Sequence, residues 1–164
     1  MFAMKKVEEK DVSLLAAEAD RVWHEWFPSI LSVEQIDYMV EKFQSEIAIL
    51  SQLRDGFEYY FLLVDENVGG YAGIKFYPDY LYLSKFYIFK DYRGKGYGRK
   101  AFDFLVAYAK NKGAKFIRLS VNKYNKPSIR VYEKLGFVRY NSAVRDIGNG
   151  YVMDDYDYEY KIEK

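Results

Sequence analysis

Tyr92-Arg93-Gly94-Lys95-Gly96-Tyr97-Gly98-Arg99-Lys100 is the stretch that decides how this chain folds. An apolar run, Phe86-Tyr87-Ile88-Phe89, leads into it, and a helical pattern of Ala101, Phe102, Leu105, Val106 and Ala109 leads out. The pattern predicts strand, glycine turn, helix start. Backbone N–H groups at such a turn have no helical acceptor, and the positive end of the helix dipole points the same way. Gly94, Gly96 and Gly98 present no Cβ to hold a ligand off the backbone, and Arg93, Lys95, Arg99 and Lys100 add charge. The turn is a candidate anion cradle, although a solvated tight turn has a similar composition. Its glycine spacing is neither the dinucleotide G-x-G-x-x-G nor the GxxxxGK[ST] of a P-loop.

The elements around the turn set its context. Met4 to Val7 reads as a short first strand. Asp11 is the expected N-cap of a helix to about Phe27, where Pro28 stops it. Ser32 and Gln35 stand at capping-box spacing before a second helix to about Leu53, whose stripe is Ile36, Met39, Val40, Phe43, Ile47 and Leu50. Phe57 to Val64 and Val68 to Tyr77 form a hairpin across Asp65-Glu66-Asn67, and Tyr80 to Phe89 is the third strand in series. In that strand Leu81 and Leu83 share one parity, Phe86 and Ile88 the other. Either a β-bulge near Ser84-Lys85 restores a single buried face, or both faces are covered.

After the glycine turn, a helix to about Lys112 and a strand from Phe116 to Val121 make a crossover, so the two strands it links are parallel. Pro127 opens a helix that ends at Leu135 before Gly136. Phe137 to Arg145 and Tyr151 to Lys161 form a last hairpin across Ile147-Gly148-Asn149-Gly150. The expectation is one α/β (or α+β) domain over residues 1–164 with a mixed sheet.

Composition narrows the chemistry. With 164 residues, half of them hydrophobic, the chain can bury a core. A formal net charge of +1 gives no bias toward nucleic acid or a membrane surface. Cys is 0 and His is 1, which excludes thiolate catalysis and leaves little for a metal, so no metal is expected. No apolar run nears about 18 residues and Met1 to Lys10 lacks a signal-peptide core, so a soluble cytoplasmic protein is expected.

A second constellation follows the crossover. Asn125, Ser128 and Tyr132 lie three and four residues apart, on one face of a helix. Asn125 and Ser128 could bond an amide or hydroxyl of a ligand, and Tyr132 could donate a proton; equally, Asn125 could cap the helix and Tyr132 pack in the core.

Arg93-x-x-Gly96-x-Gly98 resembles the R/Q-x-x-G-x-G/A motif of the GCN5-related N-acetyltransferases (GNAT). Asn125-x-x-Ser128-x-x-x-Tyr132-x-x-x-Gly136-Phe137 resembles that superfamily's second half-motif. The motifs cover about Leu81 to Phe137, and the strand order extends the likeness over nearly the whole chain. The resemblance implies a mixed, mostly antiparallel sheet of six or seven strands with a central splayed parallel pair and about four flanking helices. It implies acetyl-CoA as co-substrate. Pantetheine would pair with the backbone of Phe86, Tyr87 and Ile88, and pyrophosphate would sit on the N–H groups of Gly94, Lys95, Gly96, Tyr97, Gly98 and Arg99. Tyr132 would protonate the departing thiolate, and the Ile88 N–H would stabilise the oxyanion.

The base that deprotonates an amine acceptor is not evident; Glu25, Asp79, Asp146, Asp154 and Asp155 are the candidates. The tail Asp154-Asp155-Tyr156-Asp157-Tyr158-Glu159 suits a cationic acceptor, or else an edge strand kept soluble by charge. His24 could line the acceptor pocket or lie on a helix surface. The layout resembles polyamine acetyltransferases of the PaiA type, implying a small-molecule amine such as spermidine or spermine, with the protein a monomer or homodimer. The alternatives are Nα-acetylation of a protein N-terminus, as in ribosomal-protein acetyltransferases, and a non-catalytic acetyl-CoA sensor.

Overall fold

The computed structural model describes residues 1–163. The elements in order are β1 (Phe2–Lys6), α1 (Val12–Trp26), α2 (Val33–Met39), α3 (Glu46–Arg54), β2 (Phe57–Val64), β3 (Asn67–Phe76), β4 (Tyr80–Ile88), α4 (Tyr97–Asn111), β5 (Phe116–Asn122), α5 (Lys126–Leu135), β6 (Val138–Gly148) and β7 (Tyr151–Lys161). Hydrogen bonding orders the strands β1-β2-β3-β4-β5-β7-β6 in a seven-stranded mixed sheet. The β4–β5 pair is parallel. The pairs β1–β2, β2–β3, β5–β7 and β6–β7 are antiparallel. The fold class matches the expected α/β architecture.

The chain divides into two compact units: Met1–Lys75 with Lys85–Ala101, and Phe76–Ser84 with the chain from Phe102 onward. The first carries the three N-terminal helices, β1, β2, most of β3 and the second half of β4. Its core includes Leu15, Ala19 and Val22 of α1 with Tyr59, Tyr71 and Ile74. The second buries Phe102, Leu105, Ile117, Leu119, Phe137 and Tyr158. There the Phe102 ring meets Phe137 at 5.4 Å and Tyr160 at 5.0 Å.

The expected second helix is broken. Ser45 takes an extended conformation, and its Oγ accepts from the Ala48 N–H at 3.2 Å, starting α3 anew. Ser32 caps α2 in the same way, from the Gln35 N–H at 3.1 Å. Between them Val40–Gln44 winds as a π-helix. Buried Gln44 there accepts from the Tyr71 hydroxyl at 3.1 Å. An apolar stripe continues across such a break, so the pattern alone concealed it. Asp11 stands at the N-cap position of α1, as expected, but its side chain does not cap that helix. Asp11 ends a 3-10 turn and accepts from the Glu8 N–H at 3.0 Å.

The parity change in β4 is answered by two covered faces. Leu81, Leu83 and Lys85 are buried while Tyr82, Ser84 and Phe86 are half-buried, so the alternation passes through Ser84-Lys85 without interruption. Of the two readings of that parity change, the burial pattern fits covered faces on both sides. Parallel pairing covers Tyr80–Tyr82 against Phe116–Arg118 and ends, although β4 and β5 run on to Ile88 and Asn122.

Candidate active site

The glycine turn has the geometry its composition predicts. Gly94 and Gly96 adopt φ of 72° and 85°, a left-handed region that side chains with a Cβ avoid. A Cβ built on either would meet no atom within 4 Å, so the space over both glycines is open. Helix α4 begins at Tyr97, and its first ladder bond runs from the Lys100 N–H to the Gly96 carbonyl at 3.2 Å. The N–H groups of Tyr97, Gly98 and Arg99 therefore lie in the helix's first turn, which has no ladder acceptors. A phosphate needs this combination of open backbone, first-turn N–H groups and positive dipole end.

Arg93 and Lys100 of this stretch have other duties. The Arg93 Nε donates to the Ile88 carbonyl at 2.8 Å, and its guanidinium lies 4.5 Å over the Trp26 ring and 3.6 Å from Glu25. Arg93 thus ties the second half of β4 to α1, both in the first unit. Lys100 lies 5.9 Å over the Tyr97 ring, which itself stacks on Phe2. Beside the turn, the Phe89 N–H donates to the Gly69 carbonyl at 2.8 Å, and Tyr87 packs on Tyr71 at 5.3 Å. Phe86, Tyr87 and Ile88 are half-buried.

In the second unit Asn125 is buried and caps α5, its Oδ1 taking the Ser128 N–H at 3.4 Å. Pro127 in the first turn and Gly136 at φ 109° bound the helix as the sequence predicts. The Tyr132 ring meets Phe137 edge-on at 5.7 Å. Much of Tyr132 is covered, and burial pushes its phenol above the ordinary tyrosine range, so it keeps its proton.

The tail is not the exposed edge that its charge pattern implies. β7 lies between β5 and β6 in the pairing order. Asp155 and Asp157 are both buried. The Asp157 carboxylate accepts from Ser120 at 2.6 Å, Asn141 at 2.8 Å and Arg145 at 2.7 Å. Burial would raise its pKa, but these donors outweigh burial and lower it. Asp155 has Arg145 at 3.6 Å, and burial pushes its pKa up to about 6. Asp154 pairs with Lys123 at 2.7 Å and Glu159 with Arg118 at 3.1 Å. Each acid of the tail is thus matched by a cation of its own unit.

The other base candidates have ordinary surroundings. Glu25 pairs with Arg21 and Arg93, Asp79 faces Lys115 at 3.9 Å, and Asp146 accepts from the Gly148 N–H at 2.7 Å in the hairpin turn. His24 is pinned between α1 and α2. Its Nε2 is 2.5 Å from Asp37 Oδ1 and its Nδ1 is 2.9 Å from the Asp20 carbonyl. The Asp37 contact is the main cause of its raised pKa.

Sequence reasoning missed one buried ionisable group. Lys85 is 7% exposed. Its Nζ donates to Gln52 Oε1 at 2.8 Å and contacts the Tyr59 hydroxyl, which itself donates to Gln52. Burial lowers its pKa to about 7. The signal was available: Lys85 shares parity with buried Leu81 and Leu83. Among the described residues no group of three His, Cys, Asp or Glu could hold a metal, and no helix is long and apolar enough to cross a membrane.

The model of the Acetyltransferase (GNAT) family matches residues 20–137. The chain belongs to that family. Among curated proteins it is 36% identical over 69 residues to N-alpha-acetyltransferase 30 of Schizosaccharomyces pombe, covering 42% of this chain and 46% of that one. It is 38% identical over 56 residues to the thialysine N-epsilon-acetyltransferase of Mus musculus, covering 34% and 33%. The matched stretch spans less than half the length of either relative. Among solved structures, a PaiA N-acetyltransferase from Thermoplasma acidophilum in complex with coenzyme A superposes with TM-score 0.81 at 22% identity, covering 98% and 99% of the two chains. The ribosomal-protein-S18-alanine N-acetyltransferase of Escherichia coli gives 0.72 at 19%, covering 100% and 96%. These superpositions establish the GNAT fold.

Proposed function

We propose that this protein transfers the acetyl group of acetyl-CoA directly to a primary amine. The observation that carries the reading is the open Gly94–Gly96 turn at the start of α4, inside the stretch that matches the family. The pyrophosphate would lie on the N–H groups from Gly94 to Arg99, with Lys95 nearby. Pantetheine would run along Phe86, Tyr87 and Ile88, on the part of β4 beyond the last parallel pair. The Ile88 N–H is the proposed oxyanion donor. Asn125 and Ser128 are read as supporting the cofactor from the start of α5. The family match runs through both compact units, which supports one catalytic domain.

Each proton has an assigned carrier. The amine nitrogen forms a bond to the acetyl carbon and loses a proton. Asp155 suits that proton: it is buried, loosely paired, and raised to about 6, a value fit for a base near neutrality. The carbon–sulfur bond then breaks, and the Tyr132 hydroxyl donates its proton to the sulfur.

The acceptor class rests on the relatives, which acetylate an α-amine in one case and an ε-amine in another. Both lie within the primary-amine class. A polyamine remains the narrower reading from overall layout. The acidic tail adds little to it, because its carboxylates already have partners.

A CoA-release assay with acetyl-CoA against polyamines, aminoglycosides, amino acids and short peptides decides the acceptor. Turnover with peptides alone would sink the polyamine reading, and none with any amine would favour an acetyl-CoA sensor. Tyr132→Phe should lower kcat by roughly 10- to 10³-fold with CoA binding retained. Asp155→Asn should remove the acidic limb of the kcat/KM profile, with an apparent pKa near the value of about 6 in the wild type. An unchanged profile would exclude it as the base.

A further inference from the structure

Helix α5 has a second polar stripe. Asn125, Ser128 and Tyr132 occupy one face. Lys126, Ile129, Arg130 and Glu133 recur at spacings of three, one and three, and at about 100° per residue they fall on a face roughly a third of a turn away. This second face, with Val138 and Arg139 of β6 and Tyr156 and Tyr158 of β7, lines an open surface hollow of about 480 Å³. Every residue around it belongs to the second unit.

The hollow's charge is one-sided. Lys123, Lys126, Arg130 and Arg139 line it against one carboxylate, Glu133. Glu133 Oε2 is occupied by the Tyr158 hydroxyl at 2.8 Å. Lys123 is already matched by Asp154. The Arg139 guanidinium lies 4.2 Å over the Tyr156 ring, with Lys123 at 5.5 Å from the same ring. A planar guanidinium fixed on an aromatic face keeps its outward N–H edges for a ligand, and a cationic concavity concentrates anions. The exposed ends of α5 and β6 need no such clustering for solubility, since mixed charge would serve.

We propose that this hollow is a binding site for an organic phosphate carrying a planar ring, of the nucleoside monophosphate class, separate from the acetyl-CoA site. Lys126, Arg130 and Arg139 take the phosphoryl oxygens, Arg through paired N–H donors. The ring lies along the Tyr156–Arg139 stack. The Glu133 carboxylate, anchored by Tyr158, is the acceptor for a ribose hydroxyl or an exocyclic amine.

The test is equilibrium dialysis of AMP against the full chain, with and without saturating CoA. AMP should bind at one saturable site whose affinity CoA leaves unchanged. Arg130→Gln and Arg139→Gln should each weaken it about tenfold or more, the loss of a charge-assisted contact, with CoA affinity unaltered. Inorganic phosphate should compete more weakly than AMP, because it lacks the ring. Displacement of AMP by CoA would make the hollow part of the acetyl-CoA site and overturn the proposal. AMP binding unaffected by either arginine variant, or no saturable binding in CoA-loaded protein, would overturn it as well. Far-ultraviolet circular dichroism of both variants separates misfolding from loss of the site. A failure of the acetyl-transfer reading would leave this binding intact, so the two are tested independently.

Discussion

The two units each bury a polar cluster, and the clusters are built on opposite terms. In the first, the hydrogen-bond partners that Lys85 has among the described residues are neutral, the Tyr59 hydroxyl and the Gln52 amide. Its charge is uncompensated, so burial drives the pKa down to about 7. In the second, Asp157 has a guanidinium, a hydroxyl and an amide on it, and its pKa falls, which for an acid means that the charged form is favoured. The number and charge of partners, not depth alone, decides whether a buried group keeps its charge. Asp155 makes the same point within one strand. It is two residues from Asp157 and as deeply buried, but with a single longer contact to Arg145 its pKa rises to about 6.

The largest expected effect comes from removing the well-paired member. Asp157→Ala would leave Arg145, Ser120 and Asn141 without their common acceptor. Loss of one partner of a buried pair costs about 3–5 kcal/mol, and the low end applies because Arg145 is partly exposed and can rehydrate. Urea unfolding measures this. A loss no larger than that of Asp155→Asn, expected within about 1 kcal/mol at pH 7, would erase the distinction between the two acids.

The pH dependence of stability comes next. Lys85 is near 7 folded against 10.5 in the unfolded chain. Between those values the unfolded state binds the extra proton, so stability rises with pH over that window, by up to a few kcal/mol. Asp155, near 6 folded against 3.8 unfolded, acts in the other direction: stability falls as pH rises from 3.8 to 6. Unfolding measured from pH 7 to 10 should show the rise in wild type and not in Lys85→Met. A flat wild-type curve would mean that Lys85 stays charged in the folded state.

A smaller effect probes how the first cluster is reached. Tyr59 of β2 lies opposite Gly73 of β3. A Cβ at Gly73 would fall 2.8 Å from Tyr59 Cε1, closer than real Cβ contacts come. The glycine leaves room for the ring whose hydroxyl meets Lys85. Because Tyr59 is fully buried it has little room to yield, so Gly73→Ala should destabilise by about 1–3 kcal/mol and alter the near-ultraviolet circular dichroism. Wild-type stability in this variant would show that Tyr59 does not need that space.

The same contrast explains what could be read in the sequence. Local features were legible: the Gly94–Gly98 turn, Pro127 and Gly136 bounding α5, and the Asn149-Gly150 turn with φ of 54° and 79°. Each is fixed by the backbone preferences of a few adjacent residues. The polar clusters were not, because their partners are 33 residues apart for Lys85 and Gln52, and 37 for Ser120 and Asp157. An alternating Asp-Tyr strand reads as a charged edge until the strand order puts β5 on its other side and Ser120 against Asp157. The break at Ser45 was missed for a different reason: its cap competes with a stripe that runs on unchanged.

The smallest expected change is the most informative about Lys85 itself. Methionine is close in length to the lysine stem and brings no charge. Lys85→Met removes the Nζ contacts, but the Tyr59 hydroxyl keeps Gln52 Oε1 as its acceptor, so no buried donor is orphaned. The ammonium gains nothing from an opposite charge, so its removal should leave stability at pH 7 within about 1 kcal/mol of wild type. Above pH 7 the wild type gains stability and the variant does not, so the wild type should pull ahead toward pH 10. If the variant instead lost more than about 2 kcal/mol at pH 7, Lys85 would be a stabilising partner like Asp157, and the two clusters would follow one rule.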